Sequence, residues 1–217
     1  MQLANHTDQS LYGTPGLLLG FHCAMGEGNN SLTDGAAVAY ALKERYPQHY
    51  KALTELGYHA GRRLQYYKAG EFDFLGEFKV LTEDADGNVK RVRFHEIYRT
   101  PSQHSYEDFP RFAAAITQFY KMVHSPEFQI HLTLKEGELL MMNNWRTMHG
   151  RAGLKGKART ILGGTVTRDA FVSATRELRR KQLGFLEKND GLECGMRLSD
   201  MGLLGELRAS DEAKMAA

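Results

Sequence analysis

The sequence predicts a mainly β fold with flanking helices, on three patterns. Short apolar runs are entered through turns. Pro15-Gly16 leads into Leu17-Leu18-Leu19-Gly20-Phe21-His22-Cys23, and Lys135-Glu136-Gly137-Glu138 leads into Leu139-Leu140-Met141-Met142. Apolar runs of this length after a Gly turn are buried strands more often than helices. Phe128 to Leu134 alternates strictly between apolar and polar residues. Asp86-Gly87 is a hairpin signal between Phe78-Lys79-Val80-Leu81 and Val89-Lys90-Arg91-Val92-Arg93-Phe94. Helical spacing is clearest from Ser105 to His124, where Phe109, Phe112, Ala113, Ile116, Phe119, Tyr120 and Val123 recur as a packing stripe.

In chain order, residues 1 to 8 form a polar opening. Gly26 to Ser31 reads as a Gly/Asn loop. Asp34 is a good N-cap for a helix from about Ala36 to Leu56, with Pro47 as its natural break. Residues 57 to 100 alternate enough for three or four strands, and their basic alternation is most simply a solvated strand face. His131 falls on the polar phase of its strand and reads as an ordinary surface histidine. The Leu139 run is expected to continue as one strand that carries His149 to its far end. Arg159 to Val166 is a further strand, followed by a helix from about Arg168 to Leu186. Residues 1–185 are expected to form one domain. Residues 186–217 form a tail that reads equally as a short helix, a dimer arm or a disordered end.

The 217 residues suffice for one domain with a sizeable core. A formal net charge of +2 gives no reason to expect a nucleic-acid partner. Cys23 and Cys194 are too few for a disulfide framework, and Cys23 reads as a small buried side chain. No apolar run is long enough to span a bilayer, and the N-terminus has no signal-peptide pattern. The expected location is cytoplasmic, with a mitochondrial one open if the N-terminus is incomplete.

The chemistry concentrates in two places. In extended backbone, His6 and Asp8 of His6-Thr7-Asp8 point to one side and offer an imidazole nitrogen beside a carboxylate oxygen. An H-x-D tripeptide alone is most often a surface turn. With His149 added, the set becomes two histidines and a carboxylate, which suits a non-haem Fe(II) centre with open coordination positions.

Asn144-Trp145-Arg146-Thr147-Met148-His149-Gly150-Arg151 resembles the N-W-R-x-x-H-G-R signature of the gamma-butyrobetaine and trimethyllysine dioxygenases. These belong to the TauD/TfdA-like Fe(II)- and 2-oxoglutarate-dependent oxygenases. The resemblance extends through Arg159, Gly163 and Thr167-Arg168-Asp169, through Pro15-Gly16 with Phe21-His22-Cys23, and through Asp34-Gly35. His6-Thr7-Asp8 matches the family's H-T-D. The fold this implies is a double-stranded β-helix, a jelly-roll or cupin-like core. Strand alternation is compatible with it and would not have selected it.

The resemblance implies hydroxylation of an unactivated C–H bond, coupled to conversion of 2-oxoglutarate and O2 into succinate and CO2, with ascorbate as a supporting reductant. It implies His6, Asp8 and His149 as metal ligands. The co-substrate's distal carboxylate would go to Arg159, with Arg151 as second candidate, because Arg offers bidentate geometry. Ser31 or Thr33 would add a hydroxyl. The implied substrate is a small amine or betaine, as in carnitine biosynthesis.

Departures bear on that substrate. Thr165 stands where relatives carry Tyr, and His95-Glu96 where they carry Asn-Asn. Tyr66, Tyr67 and Tyr98 could rebuild an aromatic cage, and Glu96 could pair with a cationic amine. His95, Glu96, Tyr98 and Thr165 are therefore the expected substrate contacts. Only five residues precede His6, so the core is expected to be short at its N-terminal end, with open sheet edges that a homodimer could cover. Two alternatives stand beside the amine hydroxylase. One is the same fold acting on another small acid, such as a sulfonate, phosphonate or secondary metabolite. The other is a truncated, non-catalytic member.

Overall fold

In this computed structural model, residues 2–66, 70–153 and 158–183 are described. Eleven strands and four helices are found among them. They are β1 (Leu3–His6), β2 (Leu18–Met25), β3 (Glu27–Asp34), α1 (Gly35–Arg45), α2 (Pro47–Glu55), β4 (Gly57–Tyr66), β5 (Gly70–Lys79), β6 (Leu81–Glu83), β7 (Val89–Val92), α3 (Asp108–Val123), β8 (Gln129–Lys135), β9 (Leu139–Asn143), β10 (Thr147–Arg151), β11 (Thr160–Val166) and α4 (Arg168–Leu183). A single 3-10 turn, Glu96–Tyr98, interrupts the run between β7 and α3. The expected tail from residue 186 onward lies outside the described residues. Among the described residues no helix is long and apolar enough to cross a membrane.

Two antiparallel sheets form the core, a four-stranded one ordered β1-β10-β3-β8 and a three-stranded one ordered β11-β2-β9. Strands adjacent in sequence lie in opposite sheets: β2 and β3 separate at Gly26, and β9 and β10 separate at residues 144–146. This is the jelly-roll arrangement, in which hairpin-linked strands are shared between facing sheets. Gly26 has φ +75, and a side chain there would run into the carbonyl of Ala158. Glycine is what lets the chain change sheets in so little space.

Register decides what each face of the four-stranded sheet carries. His149 lies opposite both His6 and Leu32, so these three side chains share a face. Met148 and Gly150 lie opposite Thr33 and Ser31 and point to the other face. That second face meets the helices. Met148 is fully buried with Val38, Leu42 and Phe119, and the Thr33 hydroxyl donates to the carbonyl of Val123 at the end of α3. A helical layer thus backs the sheet from behind and leaves its front to the site.

The helices follow from local chemistry. The Asp34 carboxylate accepts from the amides of Ala36 and Ala37, both at 3.1 Å, as an N-cap should. The expected Ala36–Leu56 helix is two helices, because Pro47 starts α2 where no amide donor is needed. The Ser105 hydroxyl accepts from the Asp108 amide at 3.1 Å and closes the first turn of α3. Of the expected stripe on α3, Phe112, Ile116, Phe119 and Val123 are buried and Phe109 and Tyr120 are exposed, while Ala115 and Met122 join the buried face.

Two local expectations are corrected. The Gly26–Ser31 segment is not a loop: beyond Gly26 it is β3, held between β10 and β8. Pairing on both sides overrides the weak strand preference of its Asn and Gly residues. The Leu139 run does not carry His149 along one strand, because β9 ends at Asn143 and the chain crosses to the other sheet before β10 begins. The helix expected over Arg168–Leu186 is seen as α4, and Asp86-Gly87 does turn β6 into β7 with Gly87 at φ +78.

Asp34 also accepts from Arg146, at 3.1 Å from Nε and 2.6 Å from Nη2, and so joins the start of α1 to the sheet crossing. Losing the cap and the charged pair together should lower stability by about 2–3 kcal/mol in Asp34→Ala, whereas Asp34→Asn should lose about 1 kcal/mol. Urea denaturation measures both. Equal losses would mean that the charge of Asp34 contributes nothing.

Candidate metal centre

β1 and β10 pair so that His6 and His149 stand side by side on the sheet face that looks toward β2. Their ring centroids are 4.3 Å apart. Asp8 follows β1 in a turn rather than in extended backbone, so the turn and not the strand pleat brings its carboxylate to His6. Asp8 Oδ1 lies 3.2 Å from His6 Nε2 and 3.6 Å from His149 Nε2. One ligand atom from each residue falls within a 4.8 Å cluster.

Several contacts prepare this cluster. His6 Nδ1 lies 2.7 Å from the carbonyl oxygen of Ala4, which anchors the ring and leaves Nε2 as the nitrogen that faces the cluster. Thr7, between the two ligands, binds the strand that leaves β7: its amide donates to Phe94 O at 2.9 Å and its hydroxyl accepts from Phe94 N at 3.0 Å. Asn144, 1% exposed, grips Asp8 from the other side. Its Oδ1 accepts from Asp8 N at 2.8 Å, and its Nδ2 donates to the carbonyls of Asp8 and Gly16, each at 3.0 Å. The Phe21 ring meets His149 edge-on at 5.1 Å and closes the side facing β2.

Charge states follow from burial and proximity. Burial pushes the Asp8 carboxyl up, but the His6 hydrogen bond and the charges of His149, His6 and His95 outweigh it, and its pKa falls below the ordinary value. Burial, reinforced by His6 and opposed by Asp8, pushes His149 down to about 4. A neutral imidazole beside an ionised carboxylate is the donor state a metal needs.

Arg159, just ahead of β11, reaches the same face. Its Nη2 donates to Asn30 Oδ1 at 3.1 Å, while Nε and Nη1 are buried without a hydrogen-bond partner among the described residues. A side chain at Gly28 would overlap this guanidinium, so the glycine makes room for it. Arg151 also ends its strand opposite Asn30 but is exposed. Ser31 and Thr33 stand on the opposite face of the sheet. The Ser31 hydroxyl donates to Asn5 Oδ1, and Thr33 accepts from Asn5 Nδ2 at 2.7 Å. The structure therefore does not bring these hydroxyls to Arg159 or His149.

The expected substrate contacts are placed unevenly. The His95 ring lies 4.2 Å from that of His6, and the Tyr98 ring 4.1 Å from that of His95. Glu96 is turned into an ion pair with Arg99 at 2.9 Å. Thr165 lies near Asp8 through Gln9, whose Nε2 donates to its hydroxyl at 3.3 Å. Tyr67 and the side chain of Tyr66 lie outside the described residues. Sequence reasoning quoted Asn144 without a role and passed over Asn5, Asn30 and Gln9. An amide beside a ligand motif is the signal that could have flagged Gln9 and Asn5.

Two imidazoles and a carboxylate clustered on a jelly roll form a donor set that could hold a metal ion, and it fits Fe(II) of the non-haem type. The sequence matches the family model described as taurine catabolism dioxygenase TauD, TfdA family over residues 1–165, and the chain belongs to that family. It is 31% identical over 183 residues to a trimethyllysine dioxygenase of Meyerozyma guilliermondii, covering 80% of this chain and 44% of that relative. It is 28% identical over 171 residues to a gamma-butyrobetaine dioxygenase of Pseudomonas sp., covering 76% of this chain and 43% of that relative. The chain thus spans less than half the length of these curated relatives. Among solved structures, AAD-2 in complex with Mn(II) and N-oxalylglycine superposes with a TM-score of 0.56 at 17% identity, over 76% of this chain and 68% of that one. A taurine dioxygenase from Burkholderia xenovorans gives 0.57 at 14%, over 75% and 56%.

A free histidine titrates near ~6.5, whereas folded His149 stays neutral to about 4. Between these values the unfolded chain binds the extra proton, so stability is present above the upper value and lost as pH falls toward the lower. The melting temperature of the apoprotein should therefore fall more steeply across this window than that of His149→Gln. Equal slopes in the two proteins would refute the burial of a neutral His149.

Proposed function

We propose that the chain is an Fe(II)- and 2-oxoglutarate-dependent dioxygenase that hydroxylates a C–H bond of a small amine or betaine-like substrate of the gamma-butyrobetaine or trimethyllysine kind. The observation that carries this reading is the convergence of His6 Nε2, His149 Nε2 and Asp8 Oδ1 beside a guanidinium with unused, buried donors. Family membership and the names of the relatives support the reaction class.

His6, Asp8 and His149 would hold the metal from one side and leave the opposite positions free. Ferrous iron, with 2-oxoglutarate and O2, supplies the oxidising chemistry when bound, and ascorbate would keep it reduced. Arg159 would take the distal carboxylate of the co-substrate on Nη1, with Asn30 holding Nη2 and so fixing the plane of the guanidinium. Arg151, exposed near the same end, is the second candidate. Phe21, whose ring meets His149, and Leu32, on the same sheet face, would put apolar surface beside the metal. His95, whose ring lies against that of His6, Tyr98 beside it and Thr165 would contact the substrate. A homodimer would cover the outer face of the smaller sheet, where Leu139, Met141 and Leu162 are each at least 58% exposed.

One observation favours a second reading, the same chemistry on another small acid. Glu96, the expected partner of a cationic amine, is already paired with Arg99.

Succinate release tests the proposal. Turnover should require added Fe(II) and be abolished in Asp8→Ala. Arg159→Ala should raise the half-saturating 2-oxoglutarate concentration about 10- to 100-fold, the worth of one charged hydrogen-bonded pair. Full activity in Asp8→Ala would remove the metal assignment, and an unchanged co-substrate requirement in Arg159→Ala would move that role to Arg151.

A further inference from the structure

Asp8 sits in a turn, so something other than a strand must aim its carboxylate. Gln9 follows it directly. Among the described residues Gln9 is the one non-glycine with positive φ, at 57°. A residue with a side chain holds that left-handed conformation only where its surroundings compel it, and such residues gather at functional sites.

The surroundings are specific. Gln9 O accepts from the Tyr12 amide at 2.9 Å and closes the reverse turn. Its side chain then reaches across the loop. Gln9 Oε1 accepts from Gly16 N at 2.7 Å, and Nε2 donates to Thr165 Oγ1 at 3.3 Å. Gly16 is squeezed between these partners: a Cβ there would lie 2.8 Å from Thr165 Cβ and 3.1 Å from Gln9 Oε1. The carbonyl of Gly16 is the same one that Asn144 binds while it grips Asp8. The loop from Asp8 to Gly16 is therefore held at both ends, and Gln9 joins it to β11, the strand that starts next to Arg159.

Asn144 fixes where the Asp8 backbone lies. The direction in which the chain leaves Asp8 is set by the turn at Gln9, and with it the orientation of the carboxylate toward the two imidazoles. We propose that Gln9 is a positioning residue for the metal ligand Asp8, bridging Gly16 and Thr165 to hold the turn that aims its carboxylate at His6 Nε2 and His149 Nε2. The inference rests on the metal reading above.

The test is calorimetric titration of the full chain with Mn(II) alone, without co-substrate, with melting temperatures recorded in parallel. Gln9→Gly is the decisive variant, because glycine adopts the left-handed backbone without strain while the amide bridge is lost. It should bind Mn(II) about 10-fold more weakly than wild type, the usual cost of losing a group that orients a metal ligand. Gln9→Ala should be at least as weak. Thr165→Val, which removes one end of the bridge, should show a smaller loss in the same direction.

Leu53→Ala, a truncation of a fully buried side chain on α2, serves as a control that lowers stability away from the site and should keep wild-type Mn(II) affinity. Wild-type affinity in Gln9→Gly would overturn the inference. So would losses that merely follow melting temperature in Gln9→Gly and Leu53→Ala alike. Failure of the wild type itself to bind Mn(II), or unchanged binding in Asp8→Ala, would overturn the metal reading and this inference with it.

Discussion

The grip of Asn144 on Asp8 and Gly16 is the contact on which the site depends. One buried side chain makes three hydrogen bonds to residues more than 120 positions away in sequence. A buried amide that satisfies both its donor hydrogens and its acceptor fixes position tightly, because any shift leaves a polar group unpaired away from water. The remaining ties of this loop, through Thr7, Gln9, Arg93 on Gly13 O and Trp145 on Pro15 O, leave the Asp8 backbone groups themselves to Asn144.

The surrounding signature then reads as a set of mechanical fastenings. Trp145 Nε1 donates to Pro15 O at 2.9 Å, within the loop that Asn144 holds at its two ends. Arg146 ties the crossing between sheets to Asp34, which in turn caps α1. Met148 fills the core against the helices. His149 faces the site, and Gly150 leaves room for Asn5 and Ser31 on the opposite face. Thus His149 is a proposed ligand held in a frame built by its neighbours, and a run of residues that looks like one functional motif divides its labour residue by residue.

How much of this was legible in the sequence depended on distance along the chain. The N-cap at Asp34, the turn at Gly87 and the stripe on α3 are local, and local chemistry revealed them. The choice of His6, Asp8 and His149 came from residue type together with a resemblance, and the structure does bring them together. The break between β9 and β10 was hidden, because an apolar run followed by a polar signature does not say that the chain changes sheets. Ser31 and Thr33 show the limit most clearly. A shift of one residue in strand register moves every side chain to the other face, and register comes from partners elsewhere in the sequence. Asn30, one residue away from Ser31, is the side chain that reaches Arg159.

The central claim is that His6, Asp8, His149 and Arg159 together form a site for Fe(II) and 2-oxoglutarate. The most direct measurement is to add both, without oxygen, to the folded apoprotein and record the visible absorption spectrum. A metal-to-ligand charge-transfer band that appears only when both are present, and that is lost in Asp8→Ala, is the result this account predicts. A folded protein that gives no such band would contradict it.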